Sequence, residues 1–600
     1  MSETTASACH TEHALLVLSG QYAQHLGLIK ALMAVPMHQQ TRTFSPQTKV
    51  LEFLVAILAG LPHLEDLSRD GRPLDQDQAV AHAWQQAGWA DYSGVARTLQ
   101  RLSQAEATAI AQVLNEISRP FLDQQVTQAL TERARLEYDG DLTGRPVSNT
   151  STTYPGAAFG HMDDEVRLGY QAAVVSVASP TYRRLWLSVK PHPGQLLSCQ
   201  LTEELVQTAE AHTGVRPHRC TDLLGQRLQT ASDQLAQRRQ ELAQRQQRLA
   251  ALQAELPVYC ECWQGSELVV AALAADFQAR GRAEKPYSAL AKARRRVQHW
   301  RGRYERHLRE LVRTRKLLQR QQLGIISRQA QVAQLQARLR RFAAENASNV
   351  AAVQAVFRLD AGFATWDNVA LLIELGYEVY SRPYNQKVRA ALLRRTSPAT
   401  AWTRVGDNAE MIVWAHQPLK GCPYPVDIAL ERFYTGKTLR YGVLLHFGTD
   451  QVTADLPAWF AYYNARQTIE AGIKEGKGVF QMHHLKVRSA PALWLQEQFA
   501  AFAANFVRWA AHWLSMQSYQ EPREWLLPLA TSVKTLVQVA AHTPATVEWL
   551  PDGCLLRFTD ESLYAGRVIQ TGGCAFQLSL PIFQNIDSDP ISTNRALIVQ

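Results

Sequence analysis

An α/β protein with a helical N-terminal domain, a long coiled-coil insertion and a small β-rich insertion is predicted from three features of the sequence. Strand-type segments at 135–140, 169–178 and 182–189 are answered far downstream by a βαβ pattern, with strands at 353–359 and 377–380 around a helix at 366–375. Between these halves Leu228, Leu235, Leu242, Leu249 and Leu256 recur every seven residues through a Gln- and Arg-rich tract. The composition is that of an ordinary folded chain, 600 residues with 46% hydrophobic and 20% charged, which excludes disordered and collagenous classes and allows about three to five structural units.

The elements follow in order. Over 13–129, apolar positions such as Leu51, Leu54, Val55 and Leu58 fall at helical spacing, with breaks at 60–62 and 71–73. Ser93 is placed to cap a helix displaying Arg97, Gln100 and Arg101; such a helix either enters a DNA groove or is an ordinary amphipathic helix with a wet face. Ser179, Pro180 and Thr181 turn the second strand into the third, and a helix follows at 203–212. The leucine repeat forms one limb of an antiparallel hairpin. Pro257 is expected to end that limb, a basic helix runs back, and Leu311, Leu318, Leu335 and Leu339 supply its apolar seam. Gly376 caps the helix of the βαβ unit. Short alternating segments at 401–447, including 411–414 and 439–447, form the β-rich insertion; helices then occupy 456–539, and 551–600 reads as short strands and a tail. The implied boundaries are 1–130, 131–222 and 351–400 for the helical domain and two core parts, 223–350 for the hairpin, 401–450 for the insertion, 451–540 for the helical end of the core and 541–600 for the tail.

The longest apolar stretch, 499–514, carries Arg508 and is too short to span a bilayer, so no membrane partner is expected. No basic region precedes 14–18, so a secretory signal is not expected either, and a cytoplasmic location is. In a reducing compartment Cys9, Cys199, Cys422, Cys554 and Cys574 read as unpaired thiols. His218, Cys220, Cys260 and Cys262 either hold zinc or are ordinary thiols, since the usual two-residue gap between ligands is missing.

The formal charge is +9, but its distribution is uneven. Between Lys285 and Glu345 lie seventeen Lys or Arg against Glu305, Glu310 and Glu345, so the remainder of the chain is net acidic. Arg294, Arg295, Arg296, Arg301, Arg303, Arg306, Arg309 and Arg313 form an electrostatic footprint suited to a phosphate backbone; the alternative is a solvated helix face. Few acids are at hand to lace that face into ion pairs.

Carboxylates gather elsewhere. Glu137, Asp139 and Asp141 alternate with Leu136, Tyr138 and Gly140, which puts the acids on one face of a strand. Asp360 follows the strand at 353–359. Carboxylates converging at strand ends suit a hard divalent cation, which takes oxygen ligands. In a helix expected over 460–477, Tyr463, Arg466, Glu470 and Lys477 project from one stripe about 60° wide, while Tyr462, Ile469 and Ile473 map to the neighbouring face. Gly472, Gly476 and Gly478 weaken that helix late, so Lys477 is expected to be displaced.

The spacing of Tyr463, Arg466, Glu470 and Lys477, together with Arg358-Leu359-Asp360-Ala361-Gly362-Phe363 and Asp141-Leu142-Thr143, resembles the YREK signature of bacterial transposases of the insertion-sequence-four, Tn-five-like type. The likeness covers about 135–511; the hairpin is long and the β-rich insertion compact, so the hairpin's role is not carried over. The resemblance implies an RNase H-like core in which Asp141, Asp360 and Glu470 bind two Mg²⁺ ions, with Mn²⁺ able to substitute, and Asp139 as alternate or assisting ligand for Asp141. It further implies a nucleoid-associated DNA transposase, a homodimer holding the element's ends and its target, that hydrolyses phosphodiesters and transfers strands. The helical domain would then bind DNA, as would Tyr463, Arg466 and Lys477; Arg294, Arg295, Arg296 and Arg301 on the hairpin are candidate DNA contacts from their charge alone. Trp402 and Trp414 either stack a flipped base, as family members do from their β-insertion, or pack in the core. His483 and His484 receive no catalytic role, because adjacent helical residues diverge by about 100°. The competing readings are a transposase-derived DNA-binding protein that has lost cleavage and a coiled-coil scaffold in which the acids are incidental.

Overall fold

The computed structural model describes residues 8–40, 42–162, 165–281, 284–383, 385–515, 532–560 and 568–572. Two compact units divide the chain: 1–216, 353–372 and 377–600 form the first, and 217–352 with 373–376 the second.

The first unit opens with β1 (Cys9–Thr11), α1 (Ala14–His25), α2 (Leu28–Met33), α3 (Pro46–Leu58), α4 (Asp66–Arg69), α5 (Gln78–Ala83), α6 (Tyr92–Gln100) and α7 (Gln104–Arg133). Ser103 and Glu106 satisfy each other's backbone at the start of α7, which fixes where this 30-residue helix begins. The cap of α6 is Asp91, which accepts from the Gly94 amide at 3.1 Å, not Ser93, which lies inside the first turn. Asp91 is the residue with extended backbone, and a cap must sit just outside the helix. Arg97, Gln100 and Arg101 are exposed.

The sheet begins with β2 (Arg135–Pro146), β3 (Ala158–Met162), β4 (Glu165–Ser179) and β5 (Arg183–Pro193), followed by α8 (Thr202–Thr213). The helices α9 (Thr221–Ala279) and α10 (Ala289–Ala347) make up most of the second unit. The chain then continues through β6 (Gln354–Leu359), α11 (Trp366–Glu374), β7 (Glu378–Ser381) and α12 (Gln386–Leu393). Four strands follow: β8 (Thr403–Arg404), β9 (Ala409–Gln417), β10 (Val426–Thr435) and β11 (Thr438–Phe447). Ten strands form one mixed sheet in the order β3-β4-β2-β6-β7-β11-β10-β9-β8, with β5 also paired to β4. The pairs β2–β4 and β4–β5 are antiparallel, whereas β2–β6 and β6–β7 are parallel. Residues 401–447, expected as a small β-rich insertion, supply β8 to β11 and prolong this sheet, because β11 pairs with β7 and sets Leu445 opposite Ser381. An unpaired β7 would have left open backbone groups at the sheet edge.

The remaining elements are α13 (Leu456–Asn464), α14 (Gln467–Gly478), α15 (Ala490–Leu514), α16 (Val533–Gln538), β12 (Ala545–Leu550), β13 (Gly553–Phe558) and β14 (Val568–Thr571). The last three join β1 in a small antiparallel sheet. The apolar run at 499–514 lies within α15, which packs on β5 and α7; Trp509 stacks on Phe121 with ring centroids 4.3 Å apart. Asn505 pairs with both the N–H and C=O of Trp186, at 2.9 and 2.8 Å, beside the bulge between Val175 and Ser176. No helix among the described residues is long and apolar enough to cross a membrane.

In the second unit α9 and α10, 59 residues each, run antiparallel. Leu311, Leu318, Ile325 and Val332 are buried at sevenfold spacing, with Leu224, Ala231, Leu235 and Leu252 buried on the facing limb. Pro257 does not end α9, which continues for another 22 residues to Ala279. An interior proline costs about 3 kcal/mol, and packing on α10 outweighs it. His307 Nε2 donates to the Leu252 carbonyl at 2.8 Å one turn before the proline, and the His307 ring lies 4.9 Å from that of Tyr259 just after it. Gly376 has φ +87°, and a Cβ there would collide with the His218 carbonyl oxygen, so both conformation and space demand glycine.

Candidate active site

The parallel register of β2 and β6 brings two acids together. Gly140 is the last residue of β2 paired with β6, opposite Leu359. The next residue on each strand is an acid, Asp141 and Asp360. Asp141 is thus interior to β2, still paired to Val174 of β4, but stands where β6 ends. Glu470 comes from the first turn of α14.

One guanidinium joins the acids. Arg466, itself buried, approaches Asp141 Oδ2 at 3.5 Å with Nη1 and Glu470 Oε1 at 2.6 Å with Nη2. Burial and then the charge of Asp360, with a smaller push from Glu470, raise the Asp141 carboxyl to about 7 against the pull of Arg466 and the Leu142 amide. Burial raises Asp360 too, opposed by Arg466 and by the Gly362 and Phe363 amides, and reinforced by Glu470. Arg466 thus pairs directly with two of the carboxylates and acts on Asp360 through its charge, and one guanidinium against three acids leaves excess negative charge at the two aspartates.

The expected single helix over 460–477 is two helices. At the junction Arg466 N bonds Tyr463 O at 3.1 Å and Ile469 N bonds Arg466 O at 2.8 Å, both i to i+3. The tightened turn directs Arg466 inward. Tyr463 is buried and donates to the Leu359 carbonyl at 3.4 Å; burial raises its phenol to about 12. Lys477 remains helical, in the last turn of α14. The glycines predicted to fray that turn serve packing: a Cβ on Gly472 or Gly476 would press on the Trp186 ring at 3.4 and 3.2 Å.

Asp139 separates from Asp141 in its chemistry. It is fully buried, and its two oxygens take Arg358 Nε and Nη2 at 2.8 and 2.9 Å and Arg184 Nη2 at 2.5 Å. Arg358 enters the sequence reading only as the first residue of the motif around Asp360, and Arg184 does not enter it. For Arg358 the available signal was a charge inside the apolar run of β6, because a buried cation needs an acid partner; Arg184, next to Arg183 at the start of β5, carries no such signal.

The other candidates fall apart or pack. Cys220 caps α9 while Cys260 and Cys262 lie about forty residues along the same helix, roughly 60 Å away, so these thiols cannot close on one zinc ion and the ordinary-thiol reading stands. Cys9, Cys199, Cys220, Cys260, Cys262 and Cys554 are free thiols; Cys574 lies outside the described residues. Trp402 and Trp414 pack on a cluster of Leu392, Ile428, Leu430 and Val443, with Arg432 4.3 Å from the Trp402 ring and Arg395 6.0 Å from that of Trp414. In the hairpin unit Arg294 pairs with Glu284 at 2.7 Å and Arg301 with Glu305 at 3.0 Å, while Arg295 and Arg296 are exposed.

Among the described residues no group of three or more His, Cys, Asp or Glu is in position to share a metal ion. Asp141, Asp360 and Glu470 fit a divalent cation in kind, since all three offer hard oxygen donors and their mutual repulsion calls for positive charge. In the arrangement described, Arg466 supplies that charge. Compared with known proteins, the chain matches no family model and no curated sequence.

Proposed function

We propose that the chain is a DNA transposase of the insertion-sequence-four type, which hydrolyses phosphodiester bonds at the ends of an element and joins the freed 3′-hydroxyl to target DNA. The observation that carries this reading is the gathering of Asp141, Asp360 and Glu470 around Arg466, from positions hundreds of residues apart in the chain. The β5-β4-β2-β6-β7 portion of the sheet, an antiparallel meander running into a parallel βαβ pair, supports an RNase H-like core. Its two acidic strands are neighbours, as a shared site requires.

Asp141, Asp360 and Glu470 would hold two Mg²⁺ ions, which supply Lewis acidity to the attacking and leaving oxygens. The protein's own work is positional and electrostatic. Arg466 is the cation nearest the acids, and a phosphate oxygen arriving there would compete with Asp141 and Glu470 for its two Nη groups. Release of those carboxylates would free their oxygens at the moment substrate is present. Buried Tyr463, spent on the Leu359 carbonyl, buttresses the junction rather than reaching a phosphate. Lys477 and the exposed Arg295 and Arg296 would hold backbone phosphates and fix register, without reading sequence. Double-stranded DNA is the partner, and a second copy of the chain would hold the other end.

The test is cleavage of end-containing DNA with Mg²⁺ by wild type and by Glu470→Gln, with binding measured alongside. Metal-dependent nicking that falls by at least about a hundredfold in Glu470→Gln, with binding within about twofold, is expected. Equal cleavage by both proteins would reject the assignment, and DNA bound but never cut by wild type would favour a binding protein instead.

A further inference from the structure

Asp139 lies two residues before Asp141 on the same face of β2, yet its surroundings are unlike those of a metal ligand. Its carboxylate is fully buried and already takes three N–H donors from two arginines. Glu137 lies 3.8 Å from Arg358 and 4.0 Å from Arg135, so the charges around Asp139 are matched by opposite charges. A buried charge set of this kind is costly to build, and breaking it by removing one member is costlier still.

Each arginine has a second errand, and both lead to the α13–α14 junction. Arg184 donates to Ser176 Oγ at 2.6 Å on β4 and to Thr468 Oγ1 in the first turn of α14. Arg358 donates Nη1 to the Tyr462 carbonyl at 3.1 Å in the last turn of α13, and its guanidinium lies 5.0 Å from the Tyr462 ring centroid. Arg466 stands between these anchor points, and Glu470 lies two residues past Thr468. One carboxylate on β2 thus ties down the chain on both sides of the break that turns Arg466 inward.

We propose that Asp139 is a positioning residue: through Arg184 and Arg358 it locks the α13–α14 junction against the sheet, and so sets where Arg466 and Glu470 stand relative to Asp141. It does not bind the metal. Its consequences for cation binding and cleavage rest on the function proposed above; the locking of the junction does not. A displacement of about 1 Å in a catalytic group costs up to about a hundredfold in rate, so a loosened lock is a rate defect before it is a folding defect.

Asp139→Asn leaves two guanidiniums short of charge in the interior and is expected to unfold, so the informative variants are milder. Arg184→Lys keeps the charge beside Asp139 but loses the fork that reaches both Ser176 and Thr468. Thr468→Val removes the hydroxyl, and Thr468→Ser keeps it. Three readings are taken on full-length protein: amide exchange of the peptide covering 465–473, Mn²⁺ affinity, and cleavage. Arg184→Lys and Thr468→Val are expected to speed exchange in that peptide at least about fivefold, to weaken Mn²⁺ binding, and to lower kcat about tenfold or more with KM for DNA within about twofold. Thr468→Ser should return all three to wild-type values. Unchanged exchange in both Arg184→Lys and Thr468→Val overturns the lock, whatever the protein does to DNA. Faster exchange in a protein whose wild type never cleaves supports the lock and sinks only the transposase reading.

Discussion

At the scale of single residues, Asp141 is where structure and chemistry conflict most. Its carboxyl is raised from the ordinary 3.8 to about 7 by burial and by Asp360. A carboxyl with a raised folded value holds a proton that the unfolded chain releases between about pH 4 and 7, so stability falls as pH rises through that window. Asp141→Asn should therefore stabilise the protein at pH 8, by on the order of 1–3 kcal/mol, and leave it unchanged at pH 4. Thermal unfolding at the two pH values decides it, and a destabilised Asp141→Asn at pH 8 would contradict the electrostatic picture. Asp139, two residues away, differs through its partners alone. The period of two put Glu137, Asp139 and Asp141 on one face but could not rank them. The resemblance put Asp141 ahead of Asp139, and the partners that set Asp139 apart, Arg184 and Arg358, are brought to it by the tertiary fold alone.

At the scale of elements, the hairpin carries the positive charge, while β2, the end of β6 and α14 carry the acids. If Arg294, Arg295 and Arg296 each neutralise a phosphate, replacing all three with Gln should flatten the dependence of log affinity on log salt by about 0.9 for every phosphate left without its cation, a total of about 1–3. An unaltered slope in a salt titration would return this face to solvent. The elements differed in how far the sequence alone disclosed them. The βαβ unit at β6, α11 and β7 was legible, because apolar runs flank a helix that ends before Gly376. The hairpin seam was legible in part: Leu311, Leu318 and Leu335 are buried on α10, but of the five repeating leucines on α9 only Leu235 is, because the packed face there runs through Leu224, Ala231 and Leu252. Three features were not. Pro257 reads as a stop, yet α9 passes through it because α10 holds both sides. The break at Ala465 and Arg466 falls on two good helix formers, so local propensity opposes it and the Arg358 bond to the Tyr462 carbonyl helps hold it. The short β3 has little strand signal of its own and is defined by pairing with β4.

At the scale of the whole molecule, the fold gathers in its first unit three acids from distant parts of the chain, while the second unit holds most of the positive surplus. The two halves of the core are separated in sequence by the hairpin, and β2 and β6 nevertheless pair in parallel, which is what sets Asp141 beside Asp360. Everything proposed for function depends on those acids accepting divalent cations once Arg466 is drawn to phosphate. The most direct measurement is Mn²⁺ binding followed by electron paramagnetic resonance near neutral pH, with and without a short duplex, on wild type, Asp141→Asn, Asp360→Asn and Glu470→Gln. The expected result is two bound Mn²⁺ per chain, tighter with DNA, and a loss of at least about tenfold in affinity for each substitution. Wild-type stoichiometry and affinity in Asp360→Asn or Glu470→Gln would contradict it.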